Sequence, residues 1–284
     1  FAIGRRGQGD AVTSIADVAS RYGASRAWGM VGLLGIVTGF LILSFYAVIG
    51  GWTLAYAIDT VLSGLPVAES RAVRARFDAL LASPWQQLLY HALFLLCVML
   101  IVARGIQGGI ETAAKLLMPL LVALMLALAV YAALVGDLAA ALRYLFVPDW
   151  QRVSPRAALD ALGLGFFSIG VGLCLMITYA AYADRGINLR EVAIVSVVAD
   201  TAISLLAGLA VFPIVFAFGL DPAGGPGLVF VTLPLAFAQM PFGTLAAVSF
   251  FLLLFIAALA SAISMLEIVV ALLTHYLGWR RWIA

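Results

Sequence analysis

Asp200 is a carboxylate in the middle of an apolar run. Counted from Arg190 it lies about ten residues in, or ~15 Å at 1.5 Å per helical residue, close to the midplane of a bilayer. A charge at that depth costs roughly 2.5–3.5 kcal/mol even on the lenient insertion scale, so it must face protein, water or a cation. No apolar stretch of the chain offers a Lys or Arg at the same depth, which leaves a bound sodium ion or a transported proton as the counter-charge. The plainer alternative is an Asp nearer the end of its helix. A second unusual segment, Gly163-Leu-Gly-Phe-Phe-Ser-Ile-Gly-Val-Gly172, crowds glycines around Phe166, Phe167 and Ser168. Each Gly costs about 1 kcal/mol in a helix interior relative to Ala. The segment is therefore either a site of close helix packing or a discontinuous helix whose freed carbonyls and Ser168 Oγ ligate a cation, while a half-helix N-terminus faces an anionic group. Both readings put Ser168 inside the bundle.

The remaining polar groups are weaker signals. Ser261 and Ser264 sit one turn apart, where packing and bonding to i−4 carbonyls is the default. Tyr46 lies several residues from either end of its apolar stretch, and a buried phenol requires a polar partner. His91 and His275 have no companions that would make a metal site. Cys97 and Cys174 fall inside apolar stretches without redox or metal spacing. There is no catalytic dyad, zinc signature or phosphate loop, and the chain does not read as an enzyme.

The elements that must carry these residues are membrane spans. Hydrophobic residues make up 65% of the sequence and charged residues 11%, with a mean hydropathy of +1.13, well outside the soluble range. Six apolar stretches are long enough to cross ~30 Å of hydrocarbon: residues 29–57, 86–102, 109–134, 161–183, 192–218 and 244–274. They predict an all-α, polytopic bundle in one domain over 1–284, with 1–28 as a cytoplasmic connector and 221–241 as an external loop, broken at Asp221–Gly227 and apolar but too short to span from Leu228 to Met240. Arg5, Arg6, Arg21, Arg26, Arg104, Lys115, Arg185, Arg190, Arg280 and Arg281 then lie inside, and Arg71, Arg74, Arg76, Arg143, Arg152 and Arg156 outside, an excess that sets the orientation. A net charge of +2 in scattered basic residues excludes a nucleic-acid surface. The start at Phe1 without a secretory signal, and the stop soon after Gly278-Trp-Arg-Arg281, are the expected look of a piece of a longer chain.

In this order the segments resemble the neurotransmitter:sodium symporter family, specifically bacterial amino-acid transporters with the LeuT-type inverted-repeat fold. The resemblance rests on Phe45-Tyr46 with Gly51-Trp52-Thr53, Arg104-Gly-Ile-Gln-Gly-Gly-Ile-Glu111 with Lys115 and Met118-Pro119, and Gly165-Phe-Phe-Ser168 with Ile177-Thr-Tyr-Ala180 and Tyr182. It continues through Asp200, Leu205-Leu-Ala-Gly208, Phe230-Val-Thr-Leu-Pro234 and Ala257 to Glu267. It covers essentially the whole chain and places it as a partial fold, from the end of the family's second helix through its eighth. The first, most of the second, and the ninth onward are not represented, and a fragment of this extent is expected to be inactive alone.

The resemblance implies a sodium-coupled symporter importing an amino acid across the inner (plasma) membrane of a bacterium. It implies that the Tyr46 hydroxyl holds the substrate carboxylate, Ile42 lines the pocket one turn away, and Phe167 caps the side chain. Ser168, Gly170, Leu173, Ser261 and Met265 complete the pocket, the Gly leaving room for a larger apolar or aromatic side chain. Ser168 and Asp200 would serve one sodium site, the Ala257 carbonyl and Ser261 Oγ a second. The departures are specific: Ala260 removes an oxygen often present at the second site, and Asp200 stands where many relatives carry Asn. By analogy with chloride-independent members, its charge replaces a bound chloride near Ser204. Tyr182 keeps an internal-gate position, whereas His275 stands where a gate Asp is common. The rival reading is a channel or receptor-like bundle without coupled transport.

Overall fold

The computed structural model describes residues 1–151, 153–184, 186–222 and 225–284; the expected positions of Arg152 and Arg185, and the Ala223-Gly224 part of the external loop, lie outside these. Among the described residues, five helices are long and apolar enough to cross a membrane: Arg26–Ser63, Pro84–Ala103, Ile106–Val135, Leu189–Ala217 and Gly243–Leu277. The fourth expected span, 161–183, is not continuous. It is built from α8 (Pro155–Ile169) and α9 (Leu175–Tyr182), separated by a break in which Gly170, Gly172 and Cys174 take φ of 73°, 91° and 60°. Left-handed backbone at three of five consecutive positions cannot continue a right-handed helix, which decides the glycine cluster in favour of the discontinuous reading.

The expected 1–28 connector is itself structured. It holds α1 (Ala2–Gly7) and α2 (Ala11–Arg21), and Asp10 caps α2 by accepting from Val12 N at 2.8 Å and Thr13 N at 3.2 Å. Helix α3 (Gly29–Ser63) runs past the expected end at Ala57. At about 52 Å for 35 residues it outreaches the hydrocarbon, and its protruding Asp59 pairs with Arg76 of α4 (Ser70–Ala82). Next come α5 (Pro84–Ala103), with Pro in its first turn, a π-turn over Ile106–Glu111, and α6 (Thr112–Val135). Helix α7 (Leu138–Phe146) packs against α10 (Leu189–Ala217), which is capped by Asn188. The segment expected as an external loop contains a single turn, α11 (Gly225–Gly227), a π-turn over Leu228–Thr232 and α12 (Leu233–Gln239), before α13 (Gly243–Leu277) returns through the bundle.

Helix α13 is the central column. Its buried face, from Ala247 and Phe251 to Ala262 and Ile268, packs against α3, α5 and α6. Close approach is bought by small residues: a Cβ at Gly50 would meet the Phe94 ring at 2.5 Å, and one at Gly39 the Ile268 side chain at 2.5 Å. Against α4, Phe230 of this loop is 1% exposed, stacks on Phe77 at 5.5 Å and accepts a hydrogen bond at its carbonyl from Tyr56 Oη at 3.0 Å. The loop is thus an anchored layer over the bundle, apolar where the sequence marked it too short to span.

Candidate functional site

The break between α8 and α9 exposes side chains to a cavity of about 240 Å³. Helix α8 ends because Gly170, in left-handed conformation, turns its N–H back to the Phe167 carbonyl at 3.0 Å while Val171 N bonds to Phe166 O at 2.8 Å, a closure that satisfies two of the last four carbonyls of the helix. A Cβ at Gly170 would also meet Leu175 Cδ1 at 2.9 Å. The last turn of α8 thereby points Phe167 and Ser168 at the cavity, joined by Gly170 and Leu173 of the break, Tyr46 of α3, and Ser261, Ser264 and Met265 of α13. Ile169, Leu175 and Met176 complete the wall. The side chains lining it are apolar except for the hydroxyls of Tyr46, Ser168, Ser261 and Ser264.

Ser168 Oγ lies 2.8 Å from each carboxylate oxygen of Asp200 on α10, 32 residues later in the chain. A hydroxyl equidistant from both oxygens can donate to one and still present lone pairs. This brings the two residues singled out by chemistry into one polar pair beside the helix break, although Ser168 is exposed and not enclosed by the bundle as expected. Tyr46 and Ser261 side chains interact across the cavity, and Ser264 accepts from Tyr179 Oη at 3.0 Å while donating to the Ala260 carbonyl at 3.4 Å. That back-bond is the default expected for Ser264; its tie to Tyr179 of α9 was not anticipated. Three expected residues stand apart from the cavity lining: Asp200, joined to it through Ser168, and Ile42 and Ala257. Ile42 packs in the cluster formed by Leu43, Ala47, Phe94 and Val98, and Ala257 against the cluster around Phe250, Phe251 and Ile256.

At the α2 end of the bundle, Tyr182 Oη donates to Glu267 Oε1 at 2.8 Å, and Arg281 Nη1 reaches the same oxygen at 3.1 Å while its Nη2 contacts Oε2. Glu267 is 0% exposed. Burial alone would loosen the Arg281 proton, but the hydrogen bonds and charge of Glu267 outweigh it and the guanidinium holds its proton more tightly than usual. Sequence reasoning gave Glu267 and Arg281 no role, although the depth argument used for Asp200 applies equally to a glutamate within an apolar run. His275 is one layer away: its Nε2 is 3.8 Å from Asp10 Oδ2, so it faces the α2 cap rather than Tyr182.

The family model described as Sodium:neurotransmitter symporter family matches residues 84–280. YhdH, an uncharacterized sodium-dependent transporter of Bacillus subtilis (strain 168), is 39% identical over 274 residues, which is 95% of this chain and 59% of YhdH. An uncharacterized sodium-dependent transporter of Haemophilus influenzae is 31% identical over 281 residues, 97% of this chain and 62% of that protein. The crystal structure of MhsT in complex with L-phenylalanine superposes with a TM-score of 0.88 at 41% identity, covering 99% of this chain and 63% of MhsT. The chain therefore spans about three fifths of the length of these relatives. With a broken helix, a shared helical bundle and a family model matched over most of its length, the chain belongs to the sodium:neurotransmitter symporter family.

Proposed function

We propose that the intact protein is a sodium-coupled symporter that imports an amino acid, apolar or aromatic, by alternating access, and that this chain carries its third to eighth helices. The observation that carries the reading is the Ser168–Asp200 pair at the break in the α8–α9 span. A carboxylate held against a hydroxyl beside freed backbone is a hard-oxygen set that suits a monovalent or hard cation and needs one for charge balance. Sodium bound there ties α8 to α10 and orders the wall that closes on substrate, so the ion and the amino acid favour the same conformation. One Na⁺ falling through 100 mV releases about 2.3 kcal/mol, enough for roughly fifty-fold accumulation from voltage alone.

In this reading Tyr46 holds the substrate carboxylate, and Phe167, Gly170, Leu173 and Met265 surround its side chain, an assignment supported by their common cavity and by MhsT, at 41% identity, having been crystallised with L-phenylalanine. Ala257 O and Ser261 Oγ form a second sodium site, short of one oxygen at Ala260. The fixed charge of Asp200 makes chloride unnecessary. Tyr182 belongs to the cytoplasmic gate, with the Arg281–Glu267 pair bracing it, and His275 stands at its rim. The membrane is the inner (plasma) membrane of a bacterium, with the α2 end cytoplasmic by its basic residues. The test is uptake of a radiolabelled amino-acid panel by the full-length protein in sodium and in choline medium. Sodium-dependent uptake led by aromatic and large aliphatic substrates is expected; equal uptake in choline, or none for any amino acid, overturns the proposal.

A further inference from the structure

We propose that Arg6 and Arg21 form a recognition site for the phosphate of an anionic phospholipid in the leaflet at the α2 end of the bundle. The Arg6 guanidinium bonds through Nη1 to the Tyr22 hydroxyl and sits over the Tyr22 ring, 5.7 Å from its centre. Arg21 reaches back from the last turn of α2 to the Arg6 carbonyl at 3.2 Å. Two basic side chains thus meet at one exposed turn, Arg6 on the Tyr22 ring and Arg21 on the Arg6 carbonyl, and among the described residues neither is in an ion pair. The carboxylates of the same unit are committed elsewhere: Asp10 to the α2 cap and Thr13 Oγ1, and Asp17 to Arg26 at 2.8 Å. Each guanidinium has five donors, of which these contacts use one, and both side chains are on the exposed surface. The unmet requirement is an anion with several oxygens, the chemistry of a phosphate.

The surroundings identify a lipid rather than a soluble phosphate as its source. Helix α2 packs through Ala11 and Ala16 on the start of α3, where a Cβ at Gly29 would meet Ala16 at 3.2 Å and one at Gly32 the Ala11 carbonyl at 2.8 Å. The first turns of α3 turn Met30, Val31 and Leu34 outward, 65%, 50% and 66% exposed, beneath Trp28 at 59%. The arginine pair therefore stands beside the boundary where acyl chains give way to headgroups, with Tyr22 and Trp28 as the amphipathic rings that favour that depth. A lipid would place its phosphate on the guanidiniums and its chains along α3.

The test measures, by native mass spectrometry of the purified full-length protein, the dissociation constant of the first phosphatidylglycerol bound, with phosphatidylcholine and inorganic phosphate as comparison ligands. A basic group near a charged surface contributes about fivefold, so R6Q/R21Q should weaken phosphatidylglycerol binding roughly twenty-five-fold, and R21Q alone about fivefold, with phosphatidylcholine unchanged. R6K/R21K should restore part of the loss, whereas R74Q, in α4 at the other end of the bundle, should leave phosphatidylglycerol affinity at the wild-type value; an equal loss in R74Q overturns the site. Unchanged phosphatidylglycerol affinity in R21Q overturns the site, and displacement of phosphatidylglycerol by millimolar inorganic phosphate overturns the lipid as its occupant.

Discussion

Tyr46 offers its hydroxyl to a cavity whose other polar side chains are the serines 168, 261 and 264. Replacing it with Phe removes one hydrogen bond to a charged group, worth about 1.5–3 kcal/mol, while leaving the ring to fill the same space. Tyr46→Phe in the intact protein should therefore weaken sodium-dependent binding of a labelled amino acid roughly tenfold to hundredfold, and wild-type affinity in an equilibrium binding assay would remove the carboxylate role. Asp200→Asn keeps the shape but deletes the charge beside Ser168. Uptake by this variant should require chloride or vanish; uptake unchanged in chloride-free buffer contradicts charge replacement.

At the scale of elements, the interrupted span depends on backbone that only a few residues accept. Gly170 has φ 73°, and a Cβ there would press on the end of the Leu175 side chain, so Gly170→Ala adds about 1–2 kcal/mol of left-handed strain at the break. The expected outcome is a thermal midpoint lower by a few degrees and a smaller rise of that midpoint on adding sodium; a melting curve identical to wild type in both conditions would show that the break does not rest on this residue. The Tyr182–Glu267–Arg281 cluster ties α9 and the segment after α13 together around a fully buried carboxylate. Removing one partner strands the other, at a cost of about 3–5 kcal/mol, whereas removing both strands neither. Arg281→Gln should thus destabilise the protein more than the double change with Glu267→Gln does, a double-mutant cycle readable by thermal melting; strictly additive losses would dissolve the pair.

Across the whole molecule, sodium should act as a folding ligand, raising the melting midpoint with concentration as binding to the native state alone requires. A midpoint equal in sodium and choline would leave the Ser168–Asp200 pair without its ion. The spans were legible because insertion is a sum of local transfer energies: length and hydropathy located five continuous helices to within about two turns, and the cost of glycine marked the fourth expected span as unusual. The short helices α2, α4 and α7 were not, although Asp10 and Asp137 cap two of them, because a helix of this length is held by the surface it covers and not by its own propensity. The amino-acid order by itself determined that Asp200 lies deep in an apolar stretch and that Ser168 sits among glycines. Only the packed bundle decided that these two meet across 32 residues, that Ile42 and Ala257 turn into neighbouring apolar clusters instead of the cavity, and that Glu267 finds Arg281. Burial in a bilayer is settled residue by residue, whereas the partner of a buried polar group depends on which helix faces are pressed together, and that is a property of distant segments acting at once.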